Sequence, residues 1–154
     1  MTKVHFVKSA RKDNRIVKKG EPYYWWKHPY KPMEYSKTKP TEIQTTSSPF
    51  RRELLQLQAY IQHLTDPDDL DDIIDGIRSL ADECEQNLAN MPEYLQDTSE
   101  PGQLLLDRFD ALNEWADELE AVDREIVEGA SDEELPEIKQ RIMDDIWLIK
   151  YEGE

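Results

Sequence analysis

Between Leu70 and Met91 the apolar side chains recur in alternating steps of four and three without a miss: Leu70, Ile74, Ile77, Ala81, Cys84, Leu88 and Met91. A repeat averaging 3.5 residues draws a narrow apolar seam down one side of a helix. In water such a seam is stable only when a second seam covers it. The chain supplies one at Leu105, Phe109, Leu112, Ala116, Leu119 and Ile126, with Asp123 the single polar interruption. Pro92 ends the first run, because it can neither donate a backbone hydrogen bond nor fit inside a helix. Ser99, Pro101 and Gly102 mark a short connecting loop. Two antiparallel helices are therefore expected, layered as Met91 with Leu105, Cys84 with Leu112, Ile77 with Leu119 and Leu70 with Ile126, the two small residues Ala81 and Ala116 sharing a neighbouring layer.

The stripe is wider than a two-helix seam needs. Ile73, Leu80, Leu106, Trp115 and Val122 extend it, so further helices should cover the pair, or a second copy of the chain should. One candidate begins at Ser48-Pro49, a capping hydroxyl followed by a first-turn proline, and carries Leu54, Leu57, Ile61 and Leu64. The segment Thr65-Asp66-Pro67-Asp68-Asp69 stops it, and its aspartates suit the positive end of the next helix dipole. Another candidate carries Ile138, Ile142, Ile146 and Ile149 with Trp147 beside them. Ser131 to Glu134 fits a capping box, but Pro136 follows closely, so the helix is expected to start at one or the other.

Charge divides the chain more sharply than hydropathy does. Residues 1–50 hold 11 Lys+Arg against 4 Asp+Glu, or +7, whereas residues 51–154 hold 8 against 30, or −22. Eight of the fourteen aromatic residues also lie in the first 50, four of them in the unbroken run Tyr23-Tyr24-Trp25-Trp26. Val4 and Phe6 alternate as a short extended segment would, Ile16 and Val17 form a second β-branched pair, and Gly20-Glu21-Pro22 is a turn. Tyr23 to Lys27 has the composition of a strand, His28 to Pro32 of a proline-braced turn, and Glu34 to Thr38 of the returning strand. Along a strand, Tyr23 and Trp25 face one way and Tyr24 and Trp26 the other. A sheet of this size cannot bury both faces by itself. One aromatic face must either pack on the helices or remain as a stacking surface. The run KPTEIQTTSSP reads as a linker.

The expected architecture is thus α+β: a basic aromatic β module over 1–40, a small sheet or hairpin, then a linker over 41–49, then an acidic antiparallel helical bundle with coiled-coil-like packing over 50–154. The stretch YYWWKHPYKPMEYSKT resembles the three-stranded, arm-type DNA-binding modules at the front of tyrosine integrases. It departs from them in the turn, where Pro29 and Pro32 stand in place of the Gly or Asn of a tight hairpin. Stretches such as SLADECEQNLANMPEYLQ and ALNEWADELEAVD are similar to those of small phage and prophage proteins. The first resemblance implies contact with DNA and the second only a setting.

Rings beside cations are the ingredients of nucleic-acid contact, since bases stack on the rings while lysines track phosphates. The residues expected at such a contact are Lys18, Lys19, Tyr24, Trp26, Lys27, Tyr35 and Lys37. The alternatives are that the aromatics form a small core and that the basic arm folds back on its own acidic helices.

No catalytic role is expected. No nucleophile motif, P-loop or nucleotide fingerprint occurs, and no acid is singled out among so many. His5, His28, His63 and Cys84 are the soft ligands, and no two have a zinc-like spacing, so neither metal nor cofactor is expected. Cys84 sits at a seam position, where a small hydrophobe is wanted. The clusters Asp66/Asp68/Asp69/Asp71/Asp72 and Asp144/Asp145 lack the glycine and spacing of an EF-hand.

No apolar run approaches the roughly 20 residues of a bilayer span. The start MTKVHFVKSARK lacks the apolar stretch of a secretory leader. A single Cys fits a reducing compartment, so a cytoplasmic location is expected. The function expected is that of a non-enzymatic phage-type accessory protein. Its head would touch nucleic acid, and its acidic helices would contact a protein or a second copy of the chain. An inhibitor or adaptor acting through the acidic bundle, including a DNA mimic, and a structural coiled-coil oligomer are the alternatives.

Overall fold

A computed structural model of the chain describes residues 2–126 and 129–153. The fold is α+β, with three strands followed, among the described residues, by six helices: β1 Val4–Val7, β2 Tyr23–Lys27, β3 Met33–Ser36, α1 Glu42–Thr45, α2 Pro49–Gln62, α3 Leu70–Ala89, α4 Glu93–Gln96, α5 Glu100–Glu120 and α6 Leu135–Leu148. The chain divides into two compact units, Met1–Gln56 and Leu57–Glu154, so the boundary lies within α2. The stretch expected as a linker holds α1, one helical turn closed by a capping box in which Thr41 and Gln44 bond reciprocally.

In the second unit α3 and α5 form the expected antiparallel pair. Leu70, Ile73, Ile74, Ile77, Leu80, Ala81 and Cys84 of α3 are buried, as are Leu112, Trp115, Ala116 and Leu119 of α5. Ion pairs on the flank of the seam report its register. Arg78 donates to Asp117 at 2.9 Å and to Glu120 at 2.6 Å, which sets the Ile77 layer beside Leu119. Arg124 donates to Asp71 at 2.7 Å and to the Pro67 carbonyl at 3.4 Å. Pairs this exposed each contribute about 0.2–1 kcal/mol, so they fix register more than they stabilise it.

The seam is shorter at both ends than its sequence pattern. α3 stops at Ala89, and α5 stops at Glu120, six residues before Ile126, which is 41% exposed. The expected outer layers, Met91 with Leu105 and Leu70 with Ile126, are therefore not helix-on-helix layers. Beyond Leu119 the polar residues Asp123, Arg124 and Glu125 leave Ile126 too little apolar company to extend the helix.

The connection is more ordered than a loop. Ser99 caps α5, its Oγ accepting from the Gly102 N–H at 3.1 Å, and Pro101 sits in the first turn. A Cβ at Gly102 would lie 2.3 Å from the Gln96 carbonyl oxygen, so only glycine lets α4 close onto the start of α5. At Gly76 on α3 a Cβ would meet Leu57 Cδ2 at 2.9 Å, the end of a flexible side chain that can move aside.

The end of α2 and α6 complete this unit. Ile61, Leu64, Ile142, Met143 and Ile146 are buried. α6 begins at Leu135 with Pro136 in its first turn. The Trp147 indole donates to the Ile61 carbonyl at 2.9 Å. After α6 the chain crosses α5, where the Tyr151 ring meets Trp115 edge-on with centroids 5.7 Å apart. Here two buried polar groups, the Trp115 indole N–H and the Tyr151 hydroxyl, have no hydrogen-bond partner. Among the described residues no helix is long and apolar enough to cross a membrane.

Two predictions follow from these contacts. Tyr151→Phe removes an unpartnered buried hydroxyl at almost constant shape, so it should leave stability unchanged or raise it by about 1 kcal/mol. Trp147→Phe removes the indole donor to the Ile61 carbonyl, which keeps the Leu64 N–H at 3.3 Å, and should cost about 0.5–1.5 kcal/mol; urea midpoints measured side by side separate the two. Burial also raises the pKa of the Cys84 thiol and of the Tyr151 phenol. Each group then ionises more readily in the unfolded chain, so stability present below the ordinary thiol range is lost as pH climbs through and above it, beginning at about 8.5. Denaturation midpoints should fall over that alkaline range, and Cys84→Ala should flatten the first part of the fall.

Candidate nucleic-acid interface

The sheet of the first unit has the order β1-β2-β3, antiparallel throughout. Its register pairs Val4 with Trp26, His5 with Trp25, Phe6 with Tyr24 and Val7 with Tyr23. On the other side of β2, Tyr24 pairs with Ser36, Trp25 with Tyr35, Trp26 with Glu34 and Lys27 with Met33. Directly paired residues share a face. One face therefore carries Val4, Phe6, Tyr24, Trp26, Glu34 and Ser36, and the other carries His5, Tyr23, Trp25, Lys27, Met33 and Tyr35.

Adjacent tryptophans on the central strand have opposite fates. Trp26 is 2% exposed, and its indole N–H has no partner. Trp25, in the middle of the opposite face, remains partly exposed, as do His5, Tyr23 and Tyr35 around it. His5, Trp25 and Tyr35 form a row across all three strands. The His5 and Trp25 rings are stacked, with centroids 4.1 Å apart and planes within 10°. Tyr23 and Tyr35 lie 6.0 Å apart at 46°.

The expected contact residues are accordingly not one surface. Tyr24 and Trp26 lie on one face and Tyr35 and Lys27 on the other. Trp26 is a correction: the side chain expected to stack on bases is sealed from solvent and cannot do so in this arrangement. Its neighbour Trp25 is half-buried on the other face with His5 and Tyr23, none of which the sequence reading singled out, while on the Trp26 face Phe6 is 58% exposed with its ring 5.0 Å from that of Tyr24. Alternation separates Trp25 from Trp26 but does not say which of the two is covered; that depends on packing outside the sheet, which the sequence does not encode locally.

Lys27 closes β2 on the Trp25 face. Lys37 follows Ser36, hence sits at the Tyr23 end of the sheet. Lys18 and Lys19 lie in the loop before β2, where their backbone N–H groups donate to Glu21 and Asp13 while their side chains stay exposed. Among the described residues none of these four lysines is ion-paired. The first unit holds 13 Lys+Arg and 5 Asp+Glu, or +8; the second holds 6 and 29, or −23.

Loop structure supports the sheet from below the aromatic level. Ile16 and Val17 are not a strand: the Asn14 side chain accepts from both of their N–H groups, at 3.0 and 2.9 Å, and Val17 is buried in the resulting turn. His28 ends β2 and is 4% exposed. Its Nε2–H donates to the Gln44 carbonyl oxygen at 3.4 Å, and its Nδ1 shares a hydrogen bond with the Thr2 hydroxyl at 3.1 Å. The one imidazole thus ties the N-terminal segment and α1 to the strand end. Beyond it Tyr30, at φ 61° between Pro29 and Pro32, turns the chain into β3.

Other surfaces carry less chemistry. An open cleft of about 270 Å³ in the second unit is lined by Gln58, Ile61, Gln62, Trp115, Ile149, Lys150 and Tyr151. One of about 310 Å³ in the first unit runs from Glu42 to Arg51, which pair with each other. Among the described residues no group of three or more His, Cys, Asp or Glu is placed to hold a metal ion.

Comparison with known proteins adds no relative: no protein-family model, no curated protein and no solved structure matches the chain.

The two hydrogen bonds of His28 generate a prediction about the sheet. His28→Ala should destabilise the first unit by about 1–3 kcal/mol, since the buried ring and its two hydrogen bonds, to the Gln44 carbonyl and the Thr2 hydroxyl, are lost at about 0.5–1.5 kcal/mol each. Hydrogen exchange should speed up in β2 and β3, while α3 and α5 keep their protection.

Proposed function

We propose that this chain is a non-enzymatic nucleic-acid-binding protein whose sheet makes the contact and whose acidic bundle serves protein association. The observation that carries it is the part-exposed row His5–Trp25–Tyr35 on a unit of charge +8. A tryptophan at the centre of a central strand is among the costliest side chains to leave partly wet, because its large apolar surface would be stabilised by burial. Its neighbour Trp26 obtains that burial. Lysines free of carboxylate partners at both ends of β2 add the charge that a phosphate backbone requires.

The second unit, at −23, repels phosphates and gives a polyanion no competing surface, which supports assigning it to a protein partner or a second copy of the chain.

The test is a fluorescence anisotropy titration with labelled oligonucleotides over a range of salt. Replacing Lys18, Lys19, Lys27 and Lys37 together by Gln should weaken binding at least about tenfold at low salt. It should also shrink the slope of log K against log salt by about 0.7–0.9 for each lysine that meets a phosphate. Binding that is absent, or indifferent to salt, overturns the proposal.

A further inference from the structure

Resting on that function, we infer that the open face of the sheet takes single-stranded nucleic acid and not the duplex, with bases stacked against His5, Trp25, Tyr23 and Tyr35. In a duplex the base rings cover one another, and only their edges reach the grooves. Edges are read by side chains with suitably spaced donors or acceptors, chiefly Arg or Lys at guanine and Asn or Gln at adenine. The strands VHFV, YYWWK and MEYS contain no Arg, Asn or Gln. Lys27 is the one cation on the open face; the remaining surface is rings, the Val7 side chain and the Met33 thioether. A surface of rings has little to offer a base edge and a great deal to offer a base face.

The ring geometry favours the same ligand. His5 and Trp25 already make two layers of a parallel stack, 4.1 Å between centroids, and an unpaired base can add to such a stack as a further layer. Tyr23 and Tyr35 give a second station, tilted relative to each other, one strand over from the first. Three strands at about 4.8 Å spacing make a row about 10 Å across, room for two or three nucleotides. Lysines lie beyond both ends of β2, where the backbone of a bound strand would enter and leave. The opposite face also carries rings, Phe6 at 58% exposure beside Tyr24 with centroids 5.0 Å apart, but its central Trp26 is sealed and the Glu34 carboxylate would face the phosphates.

The experiment uses the full chain and two labelled probes, a 12-nucleotide single strand and a hairpin whose stem contains the same sequence, titrated at equal salt with intrinsic tryptophan fluorescence followed in parallel. The single strand should bind at least about tenfold more tightly and quench the tryptophan emission. Trp25→Leu and Tyr35→Leu keep apolar bulk in the strands but remove the ring, and each should weaken single-strand binding by about fivefold or more. Tyr35→Phe keeps the ring and should bind like the parent, which separates stacking from a damaged sheet. Hairpin binding as tight as single-strand binding overturns the strand preference and leaves the nucleic-acid function standing. A single-strand preference that survives both Leu variants overturns the assignment to this face. Failure of both probes to bind overturns the function and the preference together.

Discussion

A unit of charge −23 holds together because apolar burial along one helix–helix seam outweighs the repulsion spread over its surface. Side chains such as Leu70, Ile77, Leu112 and Leu119 are fully removed from water, and each is worth about 1.5–3 kcal/mol by transfer alone. The repulsion is diluted by solvent and salt, since nearly every acid projects outward. Two of the few cations in this unit, Arg78 and Arg124, are spent where the helices meet. The seam thus sets both how α3 and α5 lie and where the remaining apolar positions must find cover, at Ile61, Leu64, Ile142 and Ile146.

A different constraint governs the other unit. A strand has period two, so consecutive tryptophans cannot share an environment. In β2 that forced separation puts Trp26 in the interior and leaves Trp25 on a surface, flanked by His5 and Tyr35 from the neighbouring strands. The interface proposed here is a consequence of this parity combined with the pairing register. A shift of one residue in either ladder would exchange the two faces.

The helical half was largely legible in the sequence. Its 3.5-residue repeat needs no tertiary information to be seen, and the Ser48-Pro49 start of α2 follows from the chemistry of capping. The misreadings there were local. Ser99, Pro101 and Gly102 looked like a loop because turn residues and cap residues are the same residues; only the close approach of α4 to Gly102 shows that they open a helix. Ile126 kept the period and fell outside the helix, because a period is no substitute for a partner. The sheet was harder to read. Strand positions were visible for Tyr23 to Lys27, but Ile16 and Val17 owe their turn to the Asn14 side chain, a hydrogen-bonded detail that β-propensity does not encode. Which ring faces solvent depends on packing outside the sheet, which no local pattern encodes. That is why the sequence did not reveal that Trp26 is the buried one of the pair.

The order of elements has a kinetic consequence. Each strand pairs with the next strand in the chain, and α3 meets α5 across a connection just long enough to hold α4. Partners that are near in sequence lose little entropy in finding each other, and topologies dominated by such contacts assemble in microseconds to milliseconds. Each sheet and hairpin partner emerges from the ribosome soon after the element it joins, whereas Ile61 of α2 waits 86 residues for Trp147 of α6, so the cover over the seam is the last part of the core to close.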